Sequence, residues 1–274
     1  MRKKHKIVLG FIVFAIICVV GIIGIYPSIY DYQCKNRIYE DMEISVESVM
    51  GANIRIIHVY GDEEEGYHGY SAGASGVIFG REDDRYYALT AYHVIHVGDV
   101  AKNIVATALT PTYDEYKKEH NLSGHVPPTE YYEIMPELIV EYENEESDLA
   151  IVSFRSSDEF YTVPIAEKNP LKGKRIVTVG NPDNAEKEYF VRTYGKITSS
   201  KETTFKSNDN QMPNQILKHN AYTADGSSGG AVFDEDMKLV GINIGGGVDF
   251  LGRYRYGAMI PCEQIRTCVD EWEK

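Results

Sequence analysis

The chain has 274 residues, 43% hydrophobic and 25% charged, close to ordinary globular proportions and unlike those of a disordered chain. Its formal net charge of −13 makes nucleic acid and anionic lipid poor partners and reads first as a solvated acidic surface. Runs such as Asp62-Glu63-Glu64-Glu65 belong in loops.

Arg2, Lys3, Lys4 and Lys6 precede Ile7–Tyr26, a run without a charged residue. Such a run is long enough to cross a hydrocarbon core of roughly 30 Å, and it reads as one transmembrane helix. The basic flank lies on its N-terminal side and Asp31 on the other, so the positive-inside rule puts everything after Tyr26 outside the cytoplasm. The competing reading is a cleaved signal peptide, but those carry apolar regions of about 7–15 residues and a small-x-small cleavage site, and Tyr26-Pro27-Ser28-Ile29 offers neither clearly. The expected organisation is therefore a cytoplasmic tail and anchor over 1–27, a stalk over 28–45 and one exported domain over 46–274, at the cell membrane.

From Val46 onward the chain consists of brief runs rich in β-branched and aromatic residues, punctuated by Gly, Asn, Asp and Pro. Expected strands are Ile54–Tyr60, Gly76–Phe79, Tyr86–Leu89, Leu138–Tyr142, Leu149–Phe154, Arg175–Val179, Phe190–Lys196, Ala231–Phe233, Leu239–Ile244 and Ala258–Ile260. Thr110–Glu137 interrupts the rhythm with four prolines and four tyrosines and reads as an inserted loop. Within it, Asn121-Leu122-Ser123 is formally a glycosylation acceptor. Pro261–Glu273, with Ile265, Val269 and Trp272 at helical spacing, is the one expected helix of this part. Cys34, Cys262 and Cys268 fall in a compartment that permits disulfides. If helical, Cys262 and Cys268 are separated by about 9 Å of rise, beyond the ~7 Å limit for a bridge, which leaves a link from Cys34 to one of them open.

The chemistry is concentrated in Asp225-Gly226-Ser227-Ser228-Gly229-Gly230-Ala231-Val232, where glycines surround one serine just before a strand. A serine hydroxyl attacks a carbonyl only if its proton can leave and fixed N–H groups stabilise the oxyanion. Placing the nucleophile at Ser228 makes the N–H groups of Gly226 and Ser228 the natural oxyanion hole. Gly-x-Ser-x-Gly also marks α/β-hydrolases, whose order is Ser, acid, His, but no histidine follows Ser228. The order His, Asp, Ser is available instead. His93 ends a strand in Leu89-Thr90-Ala91-Tyr92-His93-Val94, and Asp148 stands where an acidic loop enters an apolar strand in Glu146-Ser147-Asp148-Leu149-Ala150. His93 with His96 also gives a His-x-x-His spacing, but no nearby residue completes a zinc set, and neither metal nor cofactor is expected.

These segments resemble the trypsin-like peptidase superfamily, most closely its HtrA-like members, over roughly Val46–Ile265. Gly73-Ala74-Ser75-Gly76-Val77-Ile78, Val177-Thr178-Val179-Gly180-Asn181-Pro182 with Gly195-Lys196-Ile197, and Leu239-Val240-Gly241-Ile242-Asn243 with Ala258-Met259-Ile260-Pro261 carry the likeness. The resemblance implies an all-β fold of two six-stranded antiparallel barrels with a C-terminal helix, and endopeptidase cleavage of protein or peptide substrates through an acyl-enzyme. It implies that Ile244, Gly245 and Gly246 pair with the substrate backbone and that Tyr222 floors the specificity pocket, favouring a small or medium apolar side chain. A PDZ domain and a digestive-type zymogen signature are not expected, oligomerisation stays open, and Ser199–Pro213 is a candidate ordering loop. The alternative function is a binding or sensor module that keeps the fold with little turnover.

Overall fold

The computed structural model of the protein describes residues 15, 20–21, 24–62, 67–125, 127–181, 190–206 and 214–274. The chain is mainly β, in two antiparallel sheets. The first contains β1 (Asn53–Asp62), β2 (Tyr67–Glu82), β3 (Arg85–Ala91), β4 (Val100–Ala106), β5 (Ile139–Asn144) and β6 (Leu149–Arg155), in the order β4-β1-β2-β3-β6-β5. The second contains β7 (Arg175–Gly180), β8 (Val191–Lys196), β9 (Thr203–Phe205), β10 (Asn214–His219), β11 (Ala231–Phe233), β12 (Leu239–Val248) and β13 (Tyr254–Pro261), in the order β8-β7-β11-β12-β13-β10-β9. A bridge between Ile104 and Glu137 brings the β4 edge toward β5, and one between Ile197 and His219 brings β8 toward β10. The second sheet has seven strands rather than six, because Thr203–Phe205 adds itself to the edge of β10.

Each expected strand is present, and one apolar core joins the sheets: Ile54, Leu89 and Ile151 of the first and Val177, Ile242 and Ile260 of the second belong to the same buried cluster. Helix α6 (Cys262–Trp272) clamps both. Ile265 is buried, while the Trp272 ring lies 4.8 Å from that of Tyr87 and 6.0 Å from that of Phe79 across the first sheet.

The N-terminal part differs from a free-standing stalk. Helix α1 spans 24–35 and α2 spans Glu40–Met50, and Cys34, Met42, Val46 and Val49 are buried. The last three recur at intervals of four and three, one face of a helix, and each buried side chain contributes about 1.5–3 kcal/mol. Charge fixes the register, since Asp41 pairs with Arg175 of β7, and Glu43 and Glu47 pair with Arg192 of β8. Most of the uncharged run Ile7–Tyr26 lies outside the described residues, among which no helix is long and apolar enough to cross a membrane.

The inserted loop also has structure of its own. Thr112 and Glu115 form a reciprocal capping box that starts α4 (Tyr113–Glu119), and Pro128 caps α5 (Thr129–Glu133). Tyr113, Tyr116 and Tyr131 are buried against Ile57, Val59 and Ile104, so the tyrosines build a small second core beneath the insertion. Cys34, Cys262 and Cys268 are buried free thiols, so the link left open for Cys34 is absent. Burial pushes the Cys262 thiol up to about 11 and the Cys268 thiol up to about 12.

Candidate active site

Strand pairing brings the histidine and the aspartate together. In the β3–β6 ladder Thr90 faces Ala150 and Ala91 faces Leu149, so the residues just beyond meet: Tyr92 and His93, which open the one-turn helix α3 (Tyr92–Ile95) rather than end the strand, and Asp148 in the turn before β6. Tyr92 N–H donates to Asp148 O at 3.1 Å, and His93 N–H donates to Asp148 Oδ1 at 3.0 Å. The His93 ring places Nδ1 at 3.0 and 2.9 Å from the two carboxylate oxygens. A carboxylate only accepts, so Nδ1 carries a proton, and in the neutral ring the lone pair is then on Nε2. Asp148 is fully buried and sits in the left-handed region at φ +54°, a conformation that aspartate tolerates better than most residues.

The serine comes from the other sheet. Ser228 stands three residues before β11 and shares with His93 a cavity of about 400 Å³ that is also lined by His58, Gly73 and Gly226. Within this turn Ser227 N–H donates to Ala224 O, Gly229 N–H to Asn243 O and Gly230 N–H to Ser227 O. Among the described residues, the N–H groups of Gly226 and Ser228 have no protein acceptor, as an anion-binding pair requires. Gly229 is held at φ +80°, and a Cβ there would stand 2.0 Å from Ser75 O. Only glycine fits.

Three polar residues that sequence reasoning had not assigned a role hold this turn. Ser75 of β2 donates from Oγ to Gly226 O at 2.8 Å and from its N–H to Ser228 O at 2.9 Å. Its Oγ accepts from Asn181 N–H at 2.9 Å and Nδ2 at 3.1 Å, and its own carbonyl accepts from Thr90 Oγ1 at 2.8 Å. All three side chains are buried, so one hydroxyl links β2, the end of β7 and the serine turn. Their only sequence signal is a small polar residue in an apolar run.

Behind the turn lies His219, fully buried, its Nε2 at 2.9 Å from Asn243 Oδ1. Burial depresses its pKa to about 4, so the ring is neutral. His58 lies on the other side, its Nδ1 at 3.0 Å from Asn103 Oδ1, with a pKa lowered by burial. His96 Nε2 meets Glu143 Oε2 at 2.9 Å, and its ring rests 4.2 Å from that of Tyr92.

A second cavity of about 490 Å³ adjoins Ser228 and is lined by Ile244, Gly245 and Gly246 together with Thr223, Phe205 and Tyr254. β11 pairs with β12 only as far as Ile242, so from Ile244 onward the side of β12 away from β13 has no strand beside it among the described residues. Such an edge can accept an extended peptide. Tyr222 is not part of this lining. Its ring lies under the Lys35 ammonium of α1 at 4.8 Å and 5.3 Å from the ring of Tyr254, and Thr223 beside it is among the residues that line the cavity. Of Ser199–Pro213, the part after Lys206 lies outside the described residues.

A search of curated proteins found no significant match to this chain. A family model for the trypsin-like peptidase domain matches residues 74–242, more than half of the chain and a span that contains His93, Asp148 and Ser228. The chain belongs to the trypsin-like peptidase family.

Proposed function

We propose that the chain is a membrane-anchored serine endopeptidase that acts outside the cytoplasm on protein or peptide substrates. The observation that carries the reading is the buried Asp148 carboxylate gripping His93 Nδ1 in a cavity shared with Ser228. In this mechanism Ser228 Oγ attacks the scissile carbonyl carbon while its proton passes to His93 Nε2, and Asp148 stabilises the imidazolium. The oxyanion is held by the N–H groups of Gly226 and Ser228. The C–N bond breaks as His93 returns the proton to the leaving amine, and water, deprotonated by the same imidazole, releases the acyl group. The open side of β12 at Ile244–Gly246 offers the backbone pairing that aligns an extended substrate, and the anchor is the uncharged run Ile7–Tyr26.

Hydrolysis of unfolded casein by the purified chain, with labelling by a fluorophosphonate, tests the reaction. Both activities are expected, and both are expected to vanish in Ser228→Ala. A folded protein with neither would instead be a binding module on a peptidase fold.

A further inference from the structure

Helix α1 and the β12–β13 hairpin run side by side. Beyond the end of α1 Arg37 donates to Asn220 O and Tyr194 O, and within it Lys35 lies over Tyr222; the contacts to the hairpin itself are Tyr30 Oη, which donates to Arg255 O at 3.2 Å, and Arg253 Nη1, which donates to Gly24 O at 2.8 Å. The hairpin thus points along the helix toward residues 24–28, where the uncharged run Ile7–Tyr26 ends. At that level both elements expose apolar side chains. Ile25 and Tyr26 are 62% and 67% exposed, and Val248, Phe250 and Leu251 at the hairpin tip are 66%, 89% and 59% exposed.

The charges at the tip are internally paired. Asp249 receives Arg253 Nε at 2.9 Å and lies 3.2 Å from Arg255 Nη2. Its burial alone would raise the carboxyl, but the hydrogen bonds and charge of Arg253 hold it down at about 2. Phe250 and Leu251 therefore project from a turn whose ionic groups already satisfy one another. A patch of aromatic and aliphatic side chains at the end of an uncharged chain segment has the composition of an interfacial belt.

We propose that Ile25, Tyr26, Val248, Phe250 and Leu251 form a lipid-docking face, with the hairpin tip seated in the bilayer interface beside the anchor; this rests on the membrane-anchored reading above. The chain is acidic, so the attraction is apolar insertion rather than binding to anionic headgroups, and a zwitterionic bilayer suffices. Val248 also lines the cavity beside Ser228, so the face would hold one end of the cleft at the membrane surface.

The test uses the full chain in phosphatidylcholine vesicles with and without bromine on the acyl chains. Phe250→Trp adds a tryptophan at the tip, and the wild-type chain, with Trp272 alone, supplies the reference. Interfacial apolar groups sit about 5–10 Å into the headgroup boundary, so the added emission is expected to fall at least about twofold in brominated lipid. Leu171→Trp, on an exposed loop near β7, is expected to be unaffected. Flotation of the chain with vesicles in high salt reads the anchor separately. A chain that floats while its tip tryptophan is unquenched overturns the docking face and leaves the anchor standing. A blue-shifted but unquenched tip means that protein covers it, which also overturns the proposal, and a chain that does not float overturns both readings.

Discussion

Replacing Arg37 with alanine tests whether the segment between the uncharged run and the peptidase domain is part of the fold. One terminal nitrogen of this guanidinium donates to Tyr194 O at 3.1 Å and to Asn220 O and Oδ1, both at 3.0 Å. Asn220 Oδ1 in turn accepts from Lys196 N–H at 2.7 Å, so the arginine ties 36–39 to β8 and to the segment that follows β10. A hydrogen bond to a charged donor contributes about 1.5–3 kcal/mol, but the side chain is half-buried and the acceptors can regain water. The three contacts together are therefore worth about 2 kcal/mol rather than their sum. For a domain of this size that corresponds to a fall in Tm of roughly 4–8 °C. The measurement is thermal unfolding by circular dichroism in a Ser228→Ala background, which removes the proposed nucleophile. Arg37→Lys, which keeps the charge but not the fixed direction of the Nη1 donors, is expected to recover about half of the difference. A Tm within about 1 °C of the parent would refute the docking argument.

Asp148→Asn is expected to lower kcat by about three to four orders of magnitude, because an amide can present its N–H to the imidazole and favour the wrong tautomer. A peptide ester assay reads this, and Asn tolerates the positive φ, so the circular dichroism spectrum is expected to be unchanged. Gly229→Ala is expected to abolish fluorophosphonate labelling and to destabilise the fold measurably in urea, since its Cβ would enter the Ser75 carbonyl. His219 has a folded pKa of about 4, below its unfolded value near 6.5, so the unfolded chain binds the extra proton between these values. Its contribution is intact above pH 6.5 and is lost as pH falls toward 4, and urea midpoints taken across that window are expected to fall less steeply in His219→Gln. Cys34, Cys262 and Cys268 are expected to react with Ellman's reagent only after denaturation, which a time course with and without guanidinium checks.

The central strands and the three residues of the candidate triad were legible in the sequence because each carries a local signal: β-branched runs, or a glycine-ringed serine in a fixed order. Other elements were hidden for physical reasons. β4 is half exposed, and its Ala101-Lys102-Asn103 interrupts any alternation. β10, Asn-Gln-Ile-Leu-Lys-His, reads as polar, yet Asn214 and His219 are buried because Glu146 O and Asn243 Oδ1 receive them from far along the chain. The prolines of Thr110–Glu137 suggested a loop, but Pro111 and Pro128 precede short helices, where proline fits. Tyr222 could not be placed from its distance to Ser228, because its environment is set by Lys35 on a helix about 190 residues earlier in the chain.

The division of the site between the sheets separates two adjustments that a single scaffold would couple. His93 and Asp148 sit at neighbouring positions of one ladder and move as a unit, whereas Ser228 belongs to the other sheet and is registered against them chiefly through Ser75. A slip along that seam would leave the His93–Asp148 pair whole and the serine turn whole, yet would change the separation of the Ser228 hydroxyl from the imidazole. If Ser228 and His93 act as proposed, competence is a property of how two intact halves are aligned, and pressure on the seam would set the rate without touching a reacting group.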